Sequence, residues 1–170
     1  MIKSANLSEC GTFRYFLVRR WDNSLPTLNF IMLNPSTADA DIDDPTIRRC
    51  MQFARDNGYG GIIVTNLFAF RATDPKTLMA ACKEAYEYDL STVHGPENEQ
   101  WLEKGVASSK TVCCAWGAHA STKYADTTFL HGLFERMDAD VRCLGTSKDG
   151  HPKHPLYLRK DQPLVPFRVY

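Results

Sequence analysis

The chain has 170 residues, of which 44% are hydrophobic and 24% charged, proportions typical of a globular protein. Basic and acidic residues number 20 each, so the overall charge does not indicate nucleic-acid binding, although a local basic edge would be sufficient for it. No apolar stretch approaches the roughly 20 residues of a membrane helix. The six cysteines lack the C-x-x-C spacing of a metal site. We expect one cytoplasmic domain over residues 1–170, with no disulfide framework.

The first half of the chain alternates strand and helix patterns. Asp44 before Pro45 is a typical helix start, because the carboxylate caps free N–H groups and proline suits the first helical position. Gly58 marks the end of that helix. The predicted elements are, in order, an antiparallel lead-in strand over 13–21, a strand over 28–33, a helix over 45–57 and a strand over 61–66.

The second half repeats the alternation. A second Asp-Pro step, at Asp74 and Pro75, predicts another helix start. The predicted elements are a helix over 75–90, a helical piece over 96–103, a strand over 111–116, a helix over 119–137, a strand over 139–144 and a tail packed along the surface. We therefore expect an α/β fold, a three-layer α/β/α arrangement with a central, mostly parallel four-stranded sheet and an antiparallel N-terminal lead-in strand.

Polar residues follow three of the predicted strands. Asn34 comes directly after the first apolar run and Asn66 ends the second, whereas the last strand opens into a loop that holds His151 and His154. Ligands of open α/β sheets bind outside the carboxyl ends of the strands. The sequence therefore predicts a compact polar site at this edge of the sheet.

Four motifs in this order resemble those of the uracil-DNA glycosylase superfamily, and together they span Leu33 to Leu158. The Asn-Pro form of the first motif is typical of the mismatch-specific branch. The chain also resembles a bacterial and phage family that has no assigned function. The four motifs are Leu33-Asn34-Pro35-Ser36, Val64-Thr65-Asn66, Cys113-Cys114-Ala115-Trp116-Gly117-Ala118-His119-Ala120 and His154-Pro155-Leu156.

The resemblance implies hydrolysis of an N-glycosidic bond, in which the sugar becomes oxocarbenium-like and the departing base gains negative charge. Asn34 would hold the attacking water near the sugar. His154 would donate a hydrogen bond to the departing base as a neutral imidazole, with His151 as the alternative. Asn66 offers a paired donor and acceptor that suit the Watson–Crick edge of a pyrimidine.

Two further positions bear on catalysis and on the choice of base. Asp43 or Asp44 would activate the water that Asn34 merely holds, unless this acidic run is only a solvated turn and a helix cap. Ser36 stands where the uracil-specific branch has a bulky aromatic residue that blocks substituents at position 5. The resemblance therefore implies room for a 5-modified pyrimidine, for example a hypermodified base of phage DNA.

Residues around these motifs are candidates for contacts with DNA or with the base, although ordinary packing is the alternative for each. Phe68 or Phe70 would stack on the flipped base, and Trp116 is expected in the core or in the wall of the site. Leu156 and Tyr157 would wedge into the vacated stack. Phosphates would be contacted by Arg71, Lys153 and Arg159, whereas His94, His119 and His131 are expected to be surface or helix residues.

We therefore expect a monofunctional DNA glycosylase that is a monomer, acts on DNA, contacts no membrane and needs no metal or cofactor. Three other functions stay open at this point. The first is a base hydrolase or transferase for free nucleosides or nucleotides, and the second is a binding module for modified bases that does no chemistry. The third is a metal hydrolase that uses His151, His154 and nearby aspartates.

Overall fold

The computed structural model describes residues 1–169, which form one seven-stranded mixed sheet with five α-helices. The strands lie in the order β1-β2-β4-β3-β5-β6-β7. Their bounds are Ile2–Leu7 (β1), Arg14–Arg20 (β2), Thr27–Met32 (β3), Gly61–Asn66 (β4), Thr111–Cys114 (β5), Asp140–Cys143 (β6) and Val165–Pro166 (β7).

The four strands β4, β3, β5 and β6 are parallel neighbours, and the flanking strands are antiparallel. The predicted α/β class is confirmed, but the sheet is larger than the four strands and single lead-in strand that we predicted. The tail is not only a surface segment, because β7 pairs with β6. Pro166 is tolerated there because β7 is an edge strand.

The helices begin largely where the caps predict. Asp44 accepts a hydrogen bond from the Ile47 backbone N–H at 2.8 Å, and Asp74 caps the next long helix through Lys76. The bounds are Pro45–Asp56 (α1), Pro75–Tyr88 (α2), Ser91–His94 (α3), Asn98–Ala107 (α4) and Thr127–Arg136 (α5).

The single helix predicted over 119–137 is wrong. A 3₁₀ helix, Ala120–Tyr124, is followed by a break, and α5 starts anew. The reason is Asp126, whose carboxylate accepts hydrogen bonds from the N–H groups of Thr128 and Phe129 and so caps a separate helix.

The two faces of the sheet are covered by different helices. Alternate residues of a strand point to opposite faces. Phe30 packs in a cluster with α1, whereas its neighbour Ile31 packs in a cluster with α2, α4 and α5. The carboxyl ends of the four parallel strands lie at one edge of the sheet. In residues 1–169, every helix is too short or too polar to cross a membrane.

Candidate functional site

A cavity of about 660 Å³ opens at the edge where the parallel strands end. Its size falls within the range of small-molecule sites. The structure brings most of the predicted catalytic and base-binding side chains into its wall, together with two ionisable side chains, Arg14 and His119, that were not predicted there. The wall includes Arg14, Asn34, Ser36, Asp44, Asn66, Trp116, His119, His154, Leu156 and Tyr157.

Asn66 lies at the base of this cavity as the last residue of β4, and its side chain is unpartnered. The residue is only 1% exposed, yet neither Oδ1 nor Nδ2 has a hydrogen-bond partner among residues 1–169. Its backbone is held firmly, because Asn98 Nδ2 donates to the carbonyl oxygens of Asn66 and Leu67 at 3.0 and 3.2 Å. Buried polar groups are nearly always paired in native proteins. The free donor and acceptor of Asn66 are therefore available to a ligand.

The side-chain amide of Asn34 holds a neighbouring loop in place. Its Nδ2 donates to the carbonyl oxygens of Ala72 at 2.8 Å, Pro35 at 3.0 Å and Phe70 at 3.4 Å. This amide nitrogen therefore ties the end of β3 to the loop between β4 and α2. Its Oδ1 accepts no hydrogen bond from residues 1–169, and the residue lines the cavity. Asn34 can hold a water molecule only as an acceptor.

His154 lines the cavity with its Nε2 free to donate. Its Nδ1 accepts a hydrogen bond from the Leu156 N–H at 3.3 Å, so the neutral ring carries its proton on Nε2. Burial lowers the pKa of His154 below its ordinary value of 6.5, against an opposing effect of the Asp44 charge. The ring is therefore neutral at physiological pH.

Gly117 lies beside this histidine. It has φ +77°, a conformation that suits glycine, and its N–H donates to the Pro152 carbonyl at 2.9 Å. A Cβ atom here would lie 3.4 Å from the Cβ of His154. The other candidate, His151, belongs to a turn closed by Ser147 and does not line the cavity. Of His151 and His154, the structure thus places only His154 at the site.

The two neighbouring aspartates have different surroundings. Asp43 lies outside the cavity wall and binds Arg19 Nε at 2.6 Å and Lys3 Nζ at 3.3 Å. Partial burial alone would raise the pKa of Asp43, but these two cations outweigh burial and lower it. Asp44 is 9% exposed and lines the cavity, and only its Oδ1 has a hydrogen-bond partner among residues 1–169. Of the four carboxylate oxygens of Asp43 and Asp44, Asp44 Oδ2 alone has no hydrogen-bond or ion-pair partner among residues 1–169.

The structure does not bring the two residues predicted to stack on the base, Phe68 and Phe70, into the cavity. Phe68 is buried in the core with its ring 4.9 Å from that of His94, and Phe70 packs against the same cluster. Neither lines the cavity. The aromatic side chains in the wall are Trp116, which is buried, and Tyr157, which is 87% exposed.

The basic residues predicted to contact phosphates lie outside the wall of the cavity. Arg71 donates to the Gly11 carbonyl at 3.2 Å, and Arg159 pairs with Asp161 at 3.0 Å. Lys153 is exposed. A contact between these residues and DNA would therefore be made on the surface around the cavity and not inside it.

Two ionisable residues of the wall, Arg14 and His119, were not predicted to lie there. Arg14 starts β2 and is 2% exposed, and His119, expected on a helix surface, instead caps the 3₁₀ helix through its Nδ1. His119 stands in the Trp-Gly motif, which could have indicated it. Arg14 carried no local signal, because its place in the cavity depends on the pairing of β2 with β4.

The alternative of a metal hydrolase lacks a ligand set. Over residues 1–169, no three histidine, cysteine, aspartate or glutamate side chains converge so that they could hold a metal ion.

A family model described as "protein of unknown function (DUF1643)" matches residues 14–156. The matched span begins at Arg14 and includes every residue of the cavity wall except Tyr157. No curated protein matches the chain, and no solved structure matches it either.

Proposed function

The chain belongs to the DUF1643 family, and we propose that it is a DNA glycosylase that removes a flipped, 5-modified pyrimidine. The observation that carries this proposal is the unpartnered amide of Asn66, buried at the end of a central strand and facing a cavity. A pyrimidine presents adjacent donor and acceptor groups on its Watson–Crick edge, and a primary amide can satisfy both at once. Several other features of the cavity support this choice.

The shape of the cavity suits a base with a substituent. A volume of about 660 Å³ exceeds what an unmodified pyrimidine needs. Ser36 at the rim is small, and its Oγ donates to Thr73 Oγ1 at 3.3 Å, so the side chain is turned toward a neighbour. A substituent at position 5 would therefore meet no bulky group at this corner.

The proposed reaction is a hydrolysis in which the base leaves with the bonding electron pair. Asn34 Oδ1 orients a water molecule, and Asp44 Oδ2 accepts its proton as the water oxygen forms a bond to C1′ of the sugar. The C1′–N1 bond breaks, and the resulting base anion is stabilised by hydrogen bonds from His154 Nε2–H and Asn66 Nδ2. The base anion then takes up a proton from solvent, and Asp44 returns its proton to solvent. The products are a neutral free base and an abasic site.

Contact with DNA is assigned to the surface around the mouth of the cavity. Tyr157 is exposed there beside Leu156, and together they would fill the gap that the flipped nucleotide leaves. Lys153, Arg159 and Arg71 would meet phosphates on the surrounding surface. From the resemblance to the uracil-DNA glycosylase superfamily, we also propose a three-layer arrangement and a protein that acts as a monomer.

The test is release of base from oligonucleotides that contain uracil, a thymine mismatch or a bulky 5-substituted pyrimidine. We expect free base by mass spectrometry and alkali-labile sites, with the 5-substituted substrate preferred. The His154→Ala variant should lose this activity, whereas His151→Ala, altered three residues earlier but outside the cavity, should keep it.

Three results would contradict the proposal. Activity on mononucleotides alone would identify a nucleotide base hydrolase or transferase. Tight binding of modified DNA without any abasic product would identify a recognition module. Activity on uracil alone would refute the assignment of a 5-modified substrate.

A further inference from the structure

Arg14 is a buried cation in the wall of the cavity, and the mechanism proposed above does not use it. It is 2% exposed; its Nη1 donates to the Ala38 carbonyl at 2.9 Å, and its Nε is buried without a partner. Burial lowers the pKa of Arg14 to about 10, so the guanidinium stays protonated at neutral pH.

Within residues 1–169, Arg14 has no carboxylate oxygen within 4.0 Å of its nitrogens. Asp43, one of the two nearby acids, is already bound by Arg19. The other, Asp44, raises the pKa of Arg14 through its charge but directs Oδ1 to the Ile47 N–H instead. The neighbouring cations Arg71 and Arg19 repel the charge of Arg14 and lower its pKa further. A buried charge without a partner is costly, so a ligand that brings an anion would relieve this cost.

The topology of the sheet gives the order of the polar groups along its edge. β2 runs antiparallel to β4, so its first residue, Arg14, lies at the same edge as Asn66, the last residue of β4. Asn34 follows β3, and Gly117 beside His154 follows β5. The backbone N–H of Arg14 donates to the Ala69 carbonyl at 3.0 Å, just past the end of β4. With strands about 4.8 Å apart, Arg14 therefore lies on the β4 side of the row, at the opposite end from His154.

We propose that Arg14 forms a subsite for an anionic oxygen group, a carboxylate or a phosphate, on the ligand of this cavity. If the proposed function holds, His154 meets the departing oxygen and Asn66 the pyrimidine edge, and the group at Arg14 is a substituent on the far side of the base. An anionic group at Arg14 could instead be the phosphate of a nucleotide. A guanidinium suits both, because its planar fork matches two oxygens of a carboxylate or a phosphate.

The experiment compares the affinity of the whole protein for 5-carboxy-2′-deoxyuridine, thymidine and thymidine 5′-phosphate by calorimetry. We expect one of the two anionic ligands to bind about tenfold or more tightly than thymidine. A preference for the carboxylated nucleoside assigns the subsite to a base substituent, and a preference for the nucleotide assigns it to a phosphate.

The Arg14→Met variant should lose this preference and keep its affinity for thymidine. Methionine is unbranched and apolar and removes the buried charge, so the variant is expected to fold. The matched control is Arg20→Gln, which removes a cation at the other end of β2 and should keep the preference.

Equal affinities for all three ligands in the wild-type protein would overturn the proposal, and so would a preference that survives in Arg14→Met. If the variant fails to fold, equal affinities for the three ligands in the wild-type protein are still enough to overturn the proposal. Base release from oligonucleotides is measured separately. An inactive protein that still shows the Arg14-dependent preference would refute the glycosylase and leave the subsite intact.

Discussion

Replacing Asn66 with leucine should stabilise the free protein while abolishing its activity. Leucine is close to asparagine in size and shape, but it has no polar groups to satisfy. In the wild-type protein both amide groups of Asn66 are buried without partners. Each such group costs about 1–3 kcal/mol. Counting the equivalent of one such group, we expect a gain of about 1–3 kcal/mol.

The assay is urea unfolding followed by tryptophan fluorescence, together with a thermal melt. For a chain of this length, each kcal/mol corresponds to about 2–4 °C in Tm. The matched control is Asn98→Leu. Asn98 is also buried, but its amide donates to the carbonyls of Asn66 and Leu67, which would both lose this donor. This control should be destabilised by about 1 kcal/mol or more.

We expect the free energy of unfolding to rise in Asn66→Leu and to fall in Asn98→Leu. A loss of stability in Asn66→Leu would mean that the amide is already satisfied in the free protein, and would refute the argument for a waiting donor and acceptor. Base release at the wild-type rate by the same variant would refute the role of Asn66 in reading the base.

Three other substitutions test the remaining assignments. Asp44→Asn should lower the rate of base release by about 10²–10⁴-fold with little change in Tm, because asparagine caps a helix as well as aspartate but is not a base; a small loss of rate would remove Asp44 from catalysis. Ser36→Phe should lose activity on 5-substituted pyrimidines by about tenfold or more relative to uracil. Competition between the two labelled substrates measures the ratio of these activities, and the same ratio in the variant and the wild-type protein would show that position 36 does not select the base. Since burial lowers the pKa of His154, the unfolded chain takes up a proton there more readily than the folded one. The stabilising contribution of neutral His154 is therefore complete above pH 6.5 and is lost as the pH falls through the folded pKa. Urea unfolding at pH 7.5 and 5.5 should show a smaller decrease for His154→Gln than for the wild-type protein, and equal decreases would contradict the shift.

Local signals in the sequence predicted much of the framework. The Asp-Pro steps at Asp44 and Asp74 both cap helices, because a capping hydrogen bond depends only on a few neighbouring residues. The short apolar runs that form β3 and β4 were predictable since both strands are buried on both faces. Asn34 and Asn66 follow from these strands, and so they reached the cavity as expected.

Features that depend on distant parts of the chain were missed. Strand β1 is exposed along much of its length, so its sequence lacks the apolar pattern of an inner strand. Strand β7 exists only because β6 offers it an edge. Phe68 and Phe70 follow Asn66 closely in the sequence, which favours a position at the site. In the structure Phe68 lies in the core and Phe70 packs against it. Arg14 enters the cavity through the register of β2 against β4, which the sequence does not reveal.

The three carbonyl oxygens around the Asn34 amide have a consequence for how this position can evolve. An aspartate here would have no N–H groups to give to Pro35, Phe70 and Ala72, and its negative charge would face three oxygen atoms. The loop after β4 would then be repelled instead of held. A change from Asn-Pro to Asp-Pro therefore requires a redesigned loop. The consequence is that Asn34 serves as the hydrogen-bond donor that holds the loop after β4, a role that an aspartate at the end of β3 could not take over.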